Sequence, residues 1–313
     1  MIGRQDVLGA RETIGGRVHR TPVLTSASVE REVGVPVALK AELFQRTGSF
    51  KPRGVLNKLA SLSAEEKSRG VIGISAGNHA QALAYAAGLE GIDALIVMWE
   101  GASEQKIEAT RGYGGTVDLE ASNPQEAFKR LERLIEETGR AFVHPFDDPF
   151  VIAGQGTVGL EIAEDVPDLD AVVVPVGGGG LISGIATAVD ARVIAVEPER
   201  SPALHEGLRA GKPVTVSPDS IADGLGAPFA GEAAIEICRA RGVESVLVTE
   251  EEIAVGMRFL YERCKLACEP AGAAGVAALL AGKVALEQGR TTAVVVSGGN
   301  VATETAAAIL TGK

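Results

Sequence analysis

The chain has 313 residues, 46% hydrophobic and 23% charged, enough to bury one large core or two medium ones, which excludes a disordered or fibrous protein. Thirty lysines and arginines face 41 aspartates and glutamates, and the formal net charge of −11 opposes binding to a nucleic-acid backbone. The longest uncharged run, residues 171–189, is broken by Pro175 and four glycines, and the N-terminus lacks an apolar stretch of signal-peptide length. Neither nucleic acid nor membrane is expected as a partner, and the cytoplasm is the expected location.

The first distinctive segment is Ser49-Phe50-Lys51-Pro52-Arg53-Gly54. Pro52 biases Lys51 toward extended backbone and suits the first turn of a helix, so the ammonium is expected to project from a fixed loop-to-helix junction. Taken alone, most lysines before proline are surface residues. A short apolar run at 71–75 leads into Ser75-Ala76-Gly77-Asn78-His79, where free N–H groups at a helix start suit a carboxylate and Asn78 suits a phenolic oxygen. His79 by itself is more often a structural histidine. Strands follow at 94–98, 116–119 and 141–144, with a helix between the last two: Asn123 caps it, Pro124 opens it and Gly139 closes it.

The run at 171–176 enters Gly177, Gly178, Gly179, Gly180 and Leu181, a strand, a glycine loop and a helix start at which backbone N–H groups and the helix dipole favour a phosphate. The lysine and hydroxyl of a nucleotide P-loop are missing, and the alternative is a plain glycine-rich turn. Strands at 192–197, 245–250 and 292–297 complete a pattern of at least eight, alternating with helices, which predicts mostly parallel sheets. Ser297 follows the last of them, where its hydroxyl could face a ring nitrogen. Cys264 and Cys268 read as buried hydrophobes one helical turn apart, and residues 271–282 as a tightly packed helix.

Together the segments TGSFKPRG, SAGNHAQ, HPFDDP, VGGGGL, IADGLG, EPAGAA and SGGN resemble, in family order and over nearly the whole chain, the fold type II pyridoxal-phosphate family in its threonine dehydratase and serine racemase branch. The resemblance implies a two-lobed α/β fold with mostly parallel sheets: a large cofactor-binding lobe from residues 1–60 and 147–313, and a small mobile lobe from 61–146. It implies pyridoxal 5′-phosphate as cofactor, with Lys51 as its Schiff-base lysine and as the base at the substrate Cα. Phe50 would lie against the cofactor ring, Asn78 would bond its O3′, Gly177 through Leu181 would hold its phosphate and Ser297 would meet its pyridine nitrogen. A neutral hydroxyl there leaves that nitrogen largely unprotonated and disfavours transamination. The substrate carboxylate would settle on Ser75, Ala76, Gly77, Asn78 and His79.

The expected reaction is β-elimination and deamination, of L-threonine to 2-oxobutanoate and ammonia or of L-serine to pyruvate and ammonia. Racemases of this branch carry a serine as second base where this chain has Ala76, and an asparagine where it has Phe146, so elimination is favoured over racemisation. Serine racemisation, elimination from 3-hydroxyaspartate and, in a different class, a non-catalytic ligand-binding protein are the alternatives. A divalent-ion site in relatives maps to Glu197, Ser201 and Ala203; with its second carboxylate missing, Glu197 alone supports at most a weak divalent or monovalent cation. A homodimer or homotetramer is expected, and no regulatory region, since the residues after SGGN suffice for one helix.

Overall fold

The computed structural model describes residues 2–312 and contains ten strands in two sheets. The six-stranded sheet runs β1 (Val23–Thr25), β2 (Val37–Ala41), β10 (Thr291–Val296), β7 (Leu169–Pro175), β8 (Arg192–Pro198) and β9 (Glu244–Val248). All of its pairings are parallel except that of β1 with β2. The second sheet runs β5 (Thr116–Ala121), β4 (Ala94–Trp99), β3 (Val71–Ile74) and β6 (Ala141–Phe142), parallel throughout. Helices cover both faces of each sheet. This is why β7 and β8 are apolar runs without alternation, the pattern of strands buried on both sides.

Local sequence sets several boundaries. Asn123 accepts from the Glu126 N–H, Pro124 starts the helix Pro124–Thr138, and Gly139 ends it in the left-handed region at φ 64°. Helix Pro149–Asp165 opens the same way on Asp148, whose carboxylate takes the N–H groups of Phe150 and Val151. Its buried face packs against helices Pro52–Ala60 and Gly180–Ala188, so one rod braces two elements of the cleft described below. The pair Cys264 and Cys268 does not share a helix as expected. Helix Glu250–Phe259 widens into a π-turn, Leu260–Cys264, and Lys265 at φ 62° ends it.

Beneath helix Pro52–Ala60 lies a buried charge network. Arg53 donates to both oxygens of Glu42, at 2.9 and 2.8 Å, and to both of Glu161, at 2.7 and 2.9 Å. Lys40 donates to Glu161 at 2.6 Å and to the Thr21 carbonyl at 2.7 Å. Two cations and two carboxylates thus cancel inside the protein, each satisfied by hydrogen bonds, the condition under which buried charges are tolerated. The network fixes Arg53, two residues from Lys51, to the turn that follows strand β2 and to helix Pro149–Asp165.

Among the described residues no helix is long and apolar enough to cross a membrane.

Candidate active site

The carboxyl ends of β7 and β10, neighbours in the large sheet, open into a cleft that Asn78, Pro145 and Phe146 also line. Ligands in open α/β sheets settle beyond such strand ends. Phe50, Lys51, Asn78, Gly177, Gly178, Gly179, Gly180, Leu181 and Ser297 all line it, so segments up to 247 residues apart in sequence meet here.

Lys51 immediately precedes helix Pro52–Ala60. Its backbone is helical, φ −53° and ψ −37°, rather than extended as Pro52 suggested. The turn that holds it, with Arg53 N–H on the Phe50 carbonyl at 3.1 Å and Val55 N–H on its own carbonyl at 3.3 Å, overrides the local bias. Nζ donates to the Pro145 carbonyl at 2.9 Å and lies 5.3 Å from the Phe50 ring centroid. Burial draws its pKa down to about 8 against the opposing charge of Glu269, so an appreciable fraction is free amine near neutral pH.

The glycine loop has no side chains because there is no room for them. A Cβ on Gly178 would lie 2.2 Å from a ring carbon of Phe146, and Gly179, at φ 94°, would place one 2.4 Å from Ala234 Cβ. Helix Gly180–Ala188 starts on Gly179 with no side-chain cap, leaving its first N–H groups directed to the cleft end. Helix Asn78–Glu90 also starts uncapped, on Gly77.

Ser75, Ala76, Gly77 and His79 are not among the residues that line this cleft. Ser75 Oγ accepts the Gly77 N–H at 3.1 Å. His79 is buried with Nε2 on the Val143 carbonyl at 2.9 Å, and desolvation, reinforced by the Lys51 charge, lowers its pKa to about 3. Its ring is a neutral core group; only its backbone N–H stays at the helix start.

Glu197 is also buried, and its two oxygens accept the N–H groups of Leu204 and His205 at 2.7 and 2.8 Å. Its carboxylate therefore caps helix Ala203–Ala210, while burial raises its pKa to about 8. No group of three potential metal-binding side chains occurs among the described residues.

Sequence reasoning gave no role to Glu269, Gln155, Pro145, Gly224, Leu225 or Ala271, all of which line the cleft. Glu269 precedes Pro270 at the start of helix Pro270–Leu280, and its side chain makes no cap bond. It accepts instead from Asn78 Nδ2 at 2.7 Å, and burial holds its pKa up at about 7.

A model of the family described as "pyridoxal-phosphate dependent enzyme" matches residues 14–298. The chain belongs to that family. Its cofactor is accordingly pyridoxal phosphate, and the buried, partly deprotonated lysine and the side-chain-free cradle with unspent N–H groups fit an aldehyde and a phosphate.

This pyridoxal-phosphate enzyme is 46% identical over 307 residues to the L-threonine ammonia-lyase of Thermotoga maritima, covering 96% of this chain and 76% of that protein. It is 41% identical to the catabolic L-threonine dehydratase TdcB of Escherichia coli, covering 96% of this chain and 93% of that one. Among solved structures, maize serine racemase superposes with a TM-score of 0.92 at 38% identity, covering 97% of this chain and 95% of that one. A bacterial threonine deaminase superposes at 0.89 with 40% identity, covering 96% and 99%.

Proposed function

We propose that this enzyme is an ammonia-lyase that eliminates the β-hydroxyl and then the amino group of L-threonine, L-serine or both, giving 2-oxobutanoate or pyruvate and ammonia. The observation that carries the reading is the placement of Lys51, whose amine lies beside the Phe50 ring and in one cleft with the glycine loop and Ser297. Similarity to threonine ammonia-lyases over 96% of the chain supports the substrate class.

Each residue has a physical part. When bound, pyridoxal phosphate supplies an aldehyde for a lysine amine and an electron sink for a bond broken at Cα. The N–H groups at the start of helix Gly180–Ala188 would hold its phosphate, and Phe50 would bound one side of its ring. Ser297, a hydroxyl with no charge, would face the ring nitrogen and leave it unprotonated. Lys51 Nζ would tether the cofactor and, once freed, take the Cα proton, its desolvation favouring the free amine that a base requires. The start of helix Asn78–Glu90 would receive the substrate carboxylate.

A serine racemase is a structural neighbour, which favours racemisation as a second reading. Ala76 weighs against it, because a methyl group cannot return a proton to the opposite face of Cα. The small sheet and its helices, residues 61–146, would move as a lobe over the bound substrate, and the assembly would be a homodimer or homotetramer, which light scattering would size.

Incubation with L-threonine, L-serine and threo-3-hydroxyaspartate, with chiral and 2-oxo-acid analysis of products, tests the assignment. Formation of 2-oxobutanoate or pyruvate as main product is expected. Accumulation of D-amino acid without 2-oxo acid would overturn it.

A further inference from the structure

Asn78 stands between two residues of the large lobe. Its amide nitrogen donates to Glu269 Oε1 at 2.7 Å, and its amide oxygen accepts from Asn300 Nδ2 at 2.8 Å. Asn300 is held in turn, because Nδ2 also donates to the Thr47 carbonyl at 2.7 Å. An amide has one donating and one accepting end. The carboxylate and the Asn300 amide agree on which is which, and a flip of Asn78 would set like against like at both contacts. One Asn78 N–H is used on Glu269, and the second is left for the cleft, which Asn78 lines with Lys51 and Ser297.

Glu269 itself is 2% exposed, with its backbone N–H on the Gly298 carbonyl at 3.1 Å and Oε2 without a hydrogen-bond partner. A buried carboxyl with an unsatisfied oxygen destabilises a fold. Its place at the wall of the cleft therefore has a reason outside stability. Desolvation, strengthened by Asp223, raises its pKa to about 7, so a proton can rest on Oε2 while Oε1 continues to accept from Asn78.

We propose that Glu269 is a positioning residue for the cofactor: it fixes the Asn78 amide so that the free N–H points at the ring oxygen of pyridoxal phosphate. This rests on the reading that Asn78 meets that oxygen. Asn300 clamps the same amide from its other end.

The test follows the visible absorption of the holoenzyme and its retention of cofactor on dilution. Glu269→Ala lets the amide rotate, and is expected to shift the band and weaken retention about tenfold, whereas Glu269→Gln, which still presents an oxygen to Asn78, stays within about threefold of wild type. Asn300→Ala, which frees the amide without touching the carboxyl, is expected to reproduce the band shift. In an Asn78→Ala background the effect of Glu269→Ala should vanish, as for two residues acting through one contact. A purely structural glutamate would show the same loss with or without Asn78, and that result overturns the proposal. So does a Glu269→Gln variant as impaired as Glu269→Ala, since the charge rather than the acceptor would then matter. If Asn78→Ala alone leaves band and retention unchanged, the contact with the ring oxygen fails and the proposal with it; a shift with Asn78→Ala but none with Glu269→Ala sinks the proposal alone.

Discussion

Lys51 Nζ donates to the backbone carbonyl of Pro145 at 2.9 Å, tying the loop-to-helix junction before Pro52 to the segment that leaves the small sheet. A carbonyl is a dipole without net charge, so it cannot offset the desolvation of an ammonium, and burial outweighs the pull of Glu269. The amine therefore gives up its proton more readily than a solvated lysine while it stays bonded to Pro145.

Replacing Lys51 by Ala should remove both tether and base. Turnover is expected to fall by about 10³-fold or more, and the bound-cofactor absorption to lose its characteristic band, with circular dichroism unchanged. Borohydride reduction of wild type followed by peptide mapping should find the cofactor mass on the peptide holding Lys51. A tag on another lysine would refute the assignment.

The same burial gives the cofactor-free enzyme a pH signature. In the folded chain the pKa of Lys51 lies near 8, below that of an unfolded lysine, so between these values the unfolded state binds more protons and stability rises with pH. The destabilisation is full below about pH 8 and is relieved on approaching the unfolded pKa of about 10.4. Relative to Lys51→Met, the wild-type apoenzyme should gain about 3 kcal/mol across that window in denaturant titrations. Parallel stability curves for the two proteins would show that Lys51 is not desolvated.

The eight strands read from apolar runs recur within a few residues, since strands buried on both faces announce themselves by composition. Strands β1 and β2 did not. In β2 every residue is buried, yet Lys40 interrupts the apolar pattern, and only its pairing with Glu161, 121 positions away, makes that burial possible. The site divides in the same way. Lys51, the glycine loop and Ser297 sit at strand ends or helix starts that local sequence marks. Glu269 enters the site through Asn78, 191 positions away in sequence, a contact that no local pattern encodes, whereas the core place of the His79 ring on Val143 agrees with the structural role expected of it.

Arg53 offers a test of the platform beneath the lysine. Arg53→Met leaves Glu42 and Glu161 buried with their strongest partner gone, and should cost about 3–5 kcal/mol in chemical denaturation. A loss below about 1 kcal/mol would mean that water or Lys40 readily takes over, which the burial of these side chains argues against.

Gly179→Ala probes the phosphate cradle. Its φ of 94° is strained for any residue with a Cβ, and Ala234 blocks the direction in which that atom would point. A cost of about 1–3 kcal/mol in stability is expected, with cofactor retained at least tenfold more weakly on dilution. Unchanged retention would place the phosphate elsewhere.

We propose that this lysine-centred cleft eliminates rather than racemises. Proton NMR of one reaction with L-threonine, followed to completion in parallel with an ammonia assay, tests it most directly. Elimination gives 2-oxobutanoate and ammonia in one-to-one ratio with threonine consumed, and no accumulation of a threonine stereoisomer. Loss of the Cα proton signal into solvent with the threonine pool intact, or growth of a stereoisomer in place of the 2-oxo acid, would contradict it.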